Sequence, residues 1–121
     1  MISATLDSLY DFSHASFEKA NLTNVSFTYS YSRLTNFFAA TLYNSNFKGT
    51  TLNKAYMFGA SITNSIIDNV NLSESDISYS TFKNSKAIGT NFCNTNRSNW
   101  VATNLFVDST TMCIPADTTN K

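Results

Sequence analysis

Ala20-Asn21-Leu22-Thr23-Asn24, Ala60-Ser61-Ile62-Thr63-Asn64 and Thr90-Asn91-Phe92-Cys93-Asn94 share one layout: a small residue, a polar one, a large apolar one, then two variable positions. The layout is continuous. From Phe12 to Phe92 every fifth residue is large and apolar, Ser32 and Ala87 excepted. A second column, two residues before each centre, runs from Ala15 to Thr95 and holds only Ala, Ser, Thr and Val. Helices repeat at roughly 3.6 residues and strands at about 2, so neither sustains a strict period of five. A coil with corners does. Its inward residues alternate large and small, and each coil stacks on the last through backbone hydrogen bonds at roughly 4.8 Å. The bulky centres then fill a narrow axis, and the small residues admit the backbone at each turn.

These units resemble the A(D/N)LXX motif of pentapeptide-repeat proteins over about residues 10–96. The resemblance implies an all-β fold, a right-handed quadrilateral β-helix with four pentapeptides, and so about 20 residues, per coil. It predicts about four to five coils with end caps in one domain spanning 1–121. The sequence carries its own mark of a four-sided coil: Asn24, Asn44, Asn64 and Asn84 occupy equivalent slots, each four pentapeptides after the last. Stacked on one edge, they can form a ladder of amide hydrogen bonds. Gly49, Gly59 and Gly89 also fall in the slot two after the centre, which suits a corner with left-handed backbone angles.

Open ends of a solenoid need caps. Residues 1–9 are expected to form the N-terminal cap, with Leu6, Leu9 and Tyr10 out of phase with the repeat. Beyond Thr95 the pattern decays, because Arg97 takes a centre position and Trp100 and Leu105 take slots that were always small. Residues 97–121 are therefore expected to be cap and tail, with Trp100, Leu105 and Phe106 covering the end and Pro115–Lys121 frayed. Ala102, Val107 and Met112 keep the phase, which leaves room for a partial last coil. Ser32 interrupts the apolar column. Its buried hydroxyl is expected to find a backbone partner, with a bulge displaying Tyr29, Tyr31, Arg33 and Leu34 as the alternative.

Ser, Thr and Asn supply 17, 16 and 16 of the 121 residues, while charged residues are only 13%. Such a composition invites disorder, yet ten Phe, three Gly and one Pro argue for a packed chain. Eight basic and eight acidic residues cancel to a formal charge of zero. Neutrality counts against a nucleic-acid partner, which calls for a basic face. No apolar run reaches the ~18–20 residues of a membrane span. Met1-Ile2-Ser3-Ala4-Thr5 lacks the basic and apolar regions of a secretory signal, which favours the cytoplasm over a secreted or periplasmic location.

Residues flanking each centre should point outward. Phe38, Tyr56 and Phe58, with Tyr79 at the next corner, group on one side and form the candidate surface for a protein partner. Packing against a terminal segment, or mutual stacking alone, is the competing reading. The next side presents Asn21/Thr23, Thr41/Tyr43, Ser61/Thr63 and Thr81/Lys83, a hydroxyl-rich strip resembling an ice-contacting surface but interrupted by Tyr43 and Lys83. Lys54/Glu74 and Lys48/Asp68 should stack as exposed ion pairs on adjacent coils.

Chemistry for catalysis is sparse. His14 is the single histidine. Beside Asp11 and Ser13 it superficially resembles a hydrolase set, but end-coil residues lack a preformed pocket. No glycine-rich phosphate loop, dinucleotide fingerprint or CxxC metal motif is present, so no cofactor or metal is expected. Cys93 and Cys113 are expected as free thiols, a disulfide clipping the tail to the last coil being the alternative. The four N-x-S/T sequons at Asn21, Asn24, Asn71 and Asn96 match chance in so Asn-rich a chain. The leading reading is a non-enzymatic module that presents a rigid surface to a protein, and the resemblance points to a bacterial source. Family members that protect topoisomerases by mimicking DNA are strongly acidic dimers joined by an apolar C-terminal segment. This chain is neutral and shows no such segment, so a monomer is expected, with end-to-end or face association as the alternative. A structural or ice-contacting rod is the remaining alternative.

Overall fold

The computed structural model describes residues 11–113; the expected N-terminal cap and Pro115–Lys121 lie outside the described residues. From His14 to Asn104 every fifth residue has a positive φ, between 52° and 75°. One left-handed residue after each inward centre turns the chain through a corner, and four corners close a coil. Eight of these positions are Asn and three are Gly, the residues that reach this region at least cost. Most corners also close a turn. The Ala40 N–H donates to the Phe37 carbonyl at 3.0 Å and that of Thr50 to Phe47 at 2.9 Å. With φ positive at the third residue, these are type II turns.

Each coil pairs with the next in parallel, as in Asn36↔Tyr56 and Tyr56↔Asp76, so that partners stand one circuit of four sides apart. On one side the pairing is continuous enough to form strands β1 (Thr41–Tyr43), β2 (Ser61–Thr63), β3 (Thr81–Lys86) and β4 (Val101–Phe106), stacked in chain order. Leu42, Ile62, Phe82 and Ala102 stand in register along this sheet. The architecture is a right-handed quadrilateral β-helix.

Three side-chain devices recur and explain the composition. Inward Ser and Thr beside the corners donate to carbonyls of the preceding coil: Thr35 to Phe12 (2.8 Å), Thr50 to Phe27 (2.8 Å) and Ser65 to Leu42 (2.9 Å). At Ser45 the turn N–H donates to Ser65 Oγ, and at Ser65 to Ser85 Oγ, both at 3.1 Å. Outward Asn and Asp accept the N–H two residues on, arching over the centre between them. Asn46 accepts from Lys48 at 3.0 Å, Asn71 from Ser73 at 3.0 Å and Asn91 from Cys93 at 2.9 Å. Along the axis, Phe27 stacks on Phe47 (4.8 Å, 10°) and Phe17 on Phe37 (5.4 Å, 13°), with edge-on contacts between the two columns. Leu, Ile and Met fill the middle coils, and Phe82 and Phe92 the upper ones.

The end of the helix departs from expectation. Trp100 and Leu105 are buried, but within a further coil whose β4 pairs with β3. Between these two large residues the centre is the small Ala102, so large and small exchange roles there. Phe106 is 37% exposed and caps nothing: it lies one residue before the Val107 centre and points outward. Met112 does not keep the phase. The chain slips by one residue, so Asn91 pairs with Met112 and Thr111, not Thr110, takes the small slot, its hydroxyl donating to Ala87 at 2.9 Å. Cys93 and Cys113 form a disulfide with Cα atoms 5.0 Å apart, contrary to the free thiols expected. The slipped segment lays Cys113 over the Phe92–Cys93 edge.

Ser32 is fully buried, and its hydroxyl has no hydrogen-bond partner among the described residues, against the expected backbone bond. The neighbouring Thr35 hydroxyl has taken the Phe12 carbonyl. There is no bulge, since Tyr31 pairs regularly with Asp11 and Thr51. Neither expected ion pair forms among the described residues. Asp68 instead meets Lys86 (3.4 Å) and accepts the Ile88 N–H (2.9 Å), which draws its carboxylate toward the next coil and away from Lys48.

Two stability measurements check this packing. Ser32→Ala removes an unsatisfied hydroxyl and should stabilise the fold by about 1 kcal/mol; a lower melting temperature would show the hydroxyl to be bonded. Gly49 and Gly59 both have φ near +70°, but a Cβ at Gly49 would sit 2.5 Å from the Tyr29 ring and one at Gly59 meets nothing within 4 Å. Gly59→Ala should cost about 1 kcal/mol for its backbone angle alone, and Gly49→Ala more. Tyr29→Ala should erase the difference in thermal melts; a difference that persists would place the clash elsewhere.

Candidate interaction surface

The side built on Phe17, Phe37, Met57 and Ile77 carries the outward aromatics. Phe38 follows Phe37 with its N–H held by Asn36 Oδ1 at 2.8 Å. Tyr56 and Phe58 flank Met57 on the next coil, and Tyr79 occupies the following corner at φ 57°. Parallel stacking of the coils in register brings all four together. Phe38 lies 5.7 Å from Phe58 and 5.8 Å from Tyr56, both nearly coplanar in orientation, and Tyr56 lies 6.2 Å from Phe58. Phe58 and Tyr79 meet at 5.0 Å with a 41° tilt. The two phenylalanines are half-buried by this contact, whereas Tyr56 and Tyr79 are 41% and 56% exposed.

The cluster has a polar frame. Glu18 and Lys19 occupy the same columns one coil below, and Asp76, Ser78, Asn96 and Ser98 stand above. Asp76 is committed locally: its Oδ1 accepts the Ser78 N–H at 3.0 Å and the Ser78 hydroxyl at 2.5 Å. Each backbone position is fixed from inside by a buried centre, so the rings ride on a rigid platform.

The corner asparagines contribute differently from one another. Asn44 Nδ2 donates to Asn24 Oδ1 at 2.6 Å, and Asn104 Nδ2 to Asn84 Oδ1 at 3.0 Å. Asn64 Nδ2 donates instead to the Tyr43 hydroxyl at 3.2 Å, so Tyr43 takes the place of an amide in that column. All five have φ near 50–60°, a backbone requirement that selects Asn before any ladder forms.

Elsewhere the surface carries less. The hydroxyl strip over β1–β3 is broken by exposed Tyr43 and Lys83. His14 is exposed, and its neighbour Asp11 is occupied with Ser13, whose hydroxyl and N–H (2.9 Å) hold the carboxyl below its ordinary range. The Thr110 hydroxyl and N–H likewise hold Asp108 low, fixing the turn where the chain slips. Among the described residues there is no metal-binding group of His, Cys, Asp or Glu and no helix long and apolar enough to cross a membrane. The feature missed in sequence is the disulfide. The separation of 20 between Cys93 and Cys113 was the signal that could have found it, since that is one coil.

A square parallel solenoid with a single inward column of large residues per side defines a class of repeat protein. The chain belongs to the pentapeptide-repeat family: the family model for pentapeptide repeats matches eight copies over residues 11–31 and 35–74. No protein of curated function matches it in sequence. Among solved structures it is similar to HetL, a pentapeptide-repeat protein involved in heterocyst differentiation regulation from the cyanobacterium Nostoc. That match has TM-score 0.61 and 13% identity over 89% of this chain and 59% of HetL. The chain thus spans well under two thirds of HetL. It is also similar to QnrB1, a plasmid-mediated fluoroquinolone resistance protein, with TM-score 0.57 and 13% identity over 92% of this chain and 71% of that one. At such identity these likenesses describe the fold.

Proposed function

We propose that the protein is a non-enzymatic β-helical module that offers a rigid aromatic surface, Phe38, Tyr56, Phe58 and Tyr79, to a protein partner. The observation that carries this reading is the clustering of four outward rings on one side, two of them half exposed. Tyrosines add large contact area with few rotatable bonds, and aromatic residues are enriched where binding energy concentrates. A β-helix suits the role because its outward side chains do not hold the core and its platform does not deform. The polar frame of Glu18, Lys19, Asn96 and Ser98 has the character of an interface rim. A DNA-mimicking role would need a strongly acidic rod, and the formal charge here is zero.

Phe38→Ala/Phe58→Ala should leave the far-UV spectrum and cooperative melting in place while reducing partner capture at least tenfold. Thr63→Ala, on the adjacent side, serves as the control. Affinity capture with mass spectrometry should find a protein held by the wild type and the control and lost from the double variant. Identical capture by all three would remove the patch from the account.

A further inference from the structure

The last coil has fewer buried apolar centres than the coils directly beneath it, and a covalent bond closes it. Each coil from Phe37 to Phe92 has its four centres buried, as with Met57, Ile62, Ile67 and Leu72. In the last one, Arg97 and Ala102 occupy centres and are only partly buried, which leaves Trp100, Leu105 and Val107 as its apolar anchors. Its closing segment slips register by one residue at Asp108–Thr111. Backbone bonds from Met112 N–H to Thr90 (2.9 Å) and from Phe92 N–H to Met112 (3.0 Å) hold that segment to the coil beneath. The Cys93–Cys113 disulfide joins the same two levels. Cys113 is exposed and Cys93 half-buried, so the bond lies within reach of a soluble thiol.

We propose that this disulfide is a redox-sensitive latch on the C-terminal coil: its reduction frees residues 97–113 to open locally while the coils below stay folded. The exchange is balanced by an external dithiol. One thiolate attacks a protein sulfur, the second resolves the mixed disulfide, and the protein gains two thiols as the reductant becomes a cyclic disulfide. The bond closes a loop with a sequence separation of 20, and that closure restricts the open state strongly. Because each coil touches only its neighbours, the loss is confined to the end. Opening would uncover the upper edge of the coil carrying Phe82 and Phe92, the rings on which Trp100 packs at 5.4 and 6.3 Å.

Trp100 is the single tryptophan and is 6% exposed, so its fluorescence reports on this coil alone. The oxidised full-length protein should show no free thiol on titration. Dithiothreitol should then shift Trp100 emission to the red and raise acrylamide quenching several-fold, with most of the far-UV signal retained. Amide exchange at Phe92 and Val101 should accelerate roughly a hundredfold, and that at Asn46 and Tyr56 should not change. Cys93→Ser/Cys113→Ser should behave as the reduced protein without any reductant. Two free thiols in the protein isolated without reductant would overturn the proposal. So would unchanged Trp100 emission on reduction, or equal acceleration of all four amides.

Discussion

Backbone hydrogen bonds between residues one coil apart set every other feature of this molecule. For Phe37 N–H to meet the Tyr56 carbonyl at 2.7 Å, and Asn36 N–H the Ala15 carbonyl at 2.9 Å, successive coils must superpose almost perfectly. Superposition demands a constant number of residues per side, and a side of five needs one left-handed residue at each corner. The αL conformation is unfavourable by roughly 1–2 kcal/mol for most residues, yet Tyr29, Leu34, Glu74 and Tyr79 all adopt it. The inter-coil ladder and the buried centres over-determine the backbone there. Asn and Gly relieve the strain where they occur, and this accounts for much of the Asn content.

The same constraint separates structural from free positions. The two inward columns are bound to small and large side chains, and the Ser and Thr among them give the corner carbonyls a further donor. Outward positions before the centre favour Asn or Asp, whose side chains hold the next outward N–H. What remains can vary without unfolding the solenoid, and there the chain places its unusual residues: Phe38, Tyr56, Phe58 and Tyr79 on one side, Tyr43 and Lys83 on the next. An aromatic group in such positions contributes little to the core, which is why its clustering bears on function.

Most of the architecture was legible in the sequence because each inward slot filters residue chemistry and repeats often. The aromatic group was legible for the same reason, since period and register assign Phe38 and Phe58 to adjacent coils. Single events were not. Thr110 and Thr111 suit the small slot equally, so the one-residue slip leaves no trace, and it turns Met112 outward. The exchange of large and small at Trp100, Ala102 and Leu105 reads as decay when each column is taken alone; only the folded coil shows Trp100 and Leu105 buried on either side of Ala102. Asp68 turns to Lys86 because the Ile88 N–H competes for its carboxylate, a three-way geometry that stacking order does not encode. The Ser32 hydroxyl is buried in a column of apolar centres with no hydrogen-bond partner among the described residues, a local geometry that the repeat pattern does not encode.

The central claim is that one coil of four pentapeptides is the unit of register. It is tested most directly by deleting residues 60–79, one complete coil that joins Gly59 to Ser80 in phase, and comparing thermal unfolding with a deletion of 62–79, shorter by two. The in-phase deletion should melt cooperatively with the β-sheet far-UV spectrum of the full chain and still form the Cys93–Cys113 bond. The out-of-phase deletion, which sets the small residues Ser80 and Ser85 into centre slots and the large Phe82 at an outward corner and breaks every ladder above the cut, should not fold cooperatively. Equal stability of the two deletions, or collapse of the in-phase one, would contradict the account.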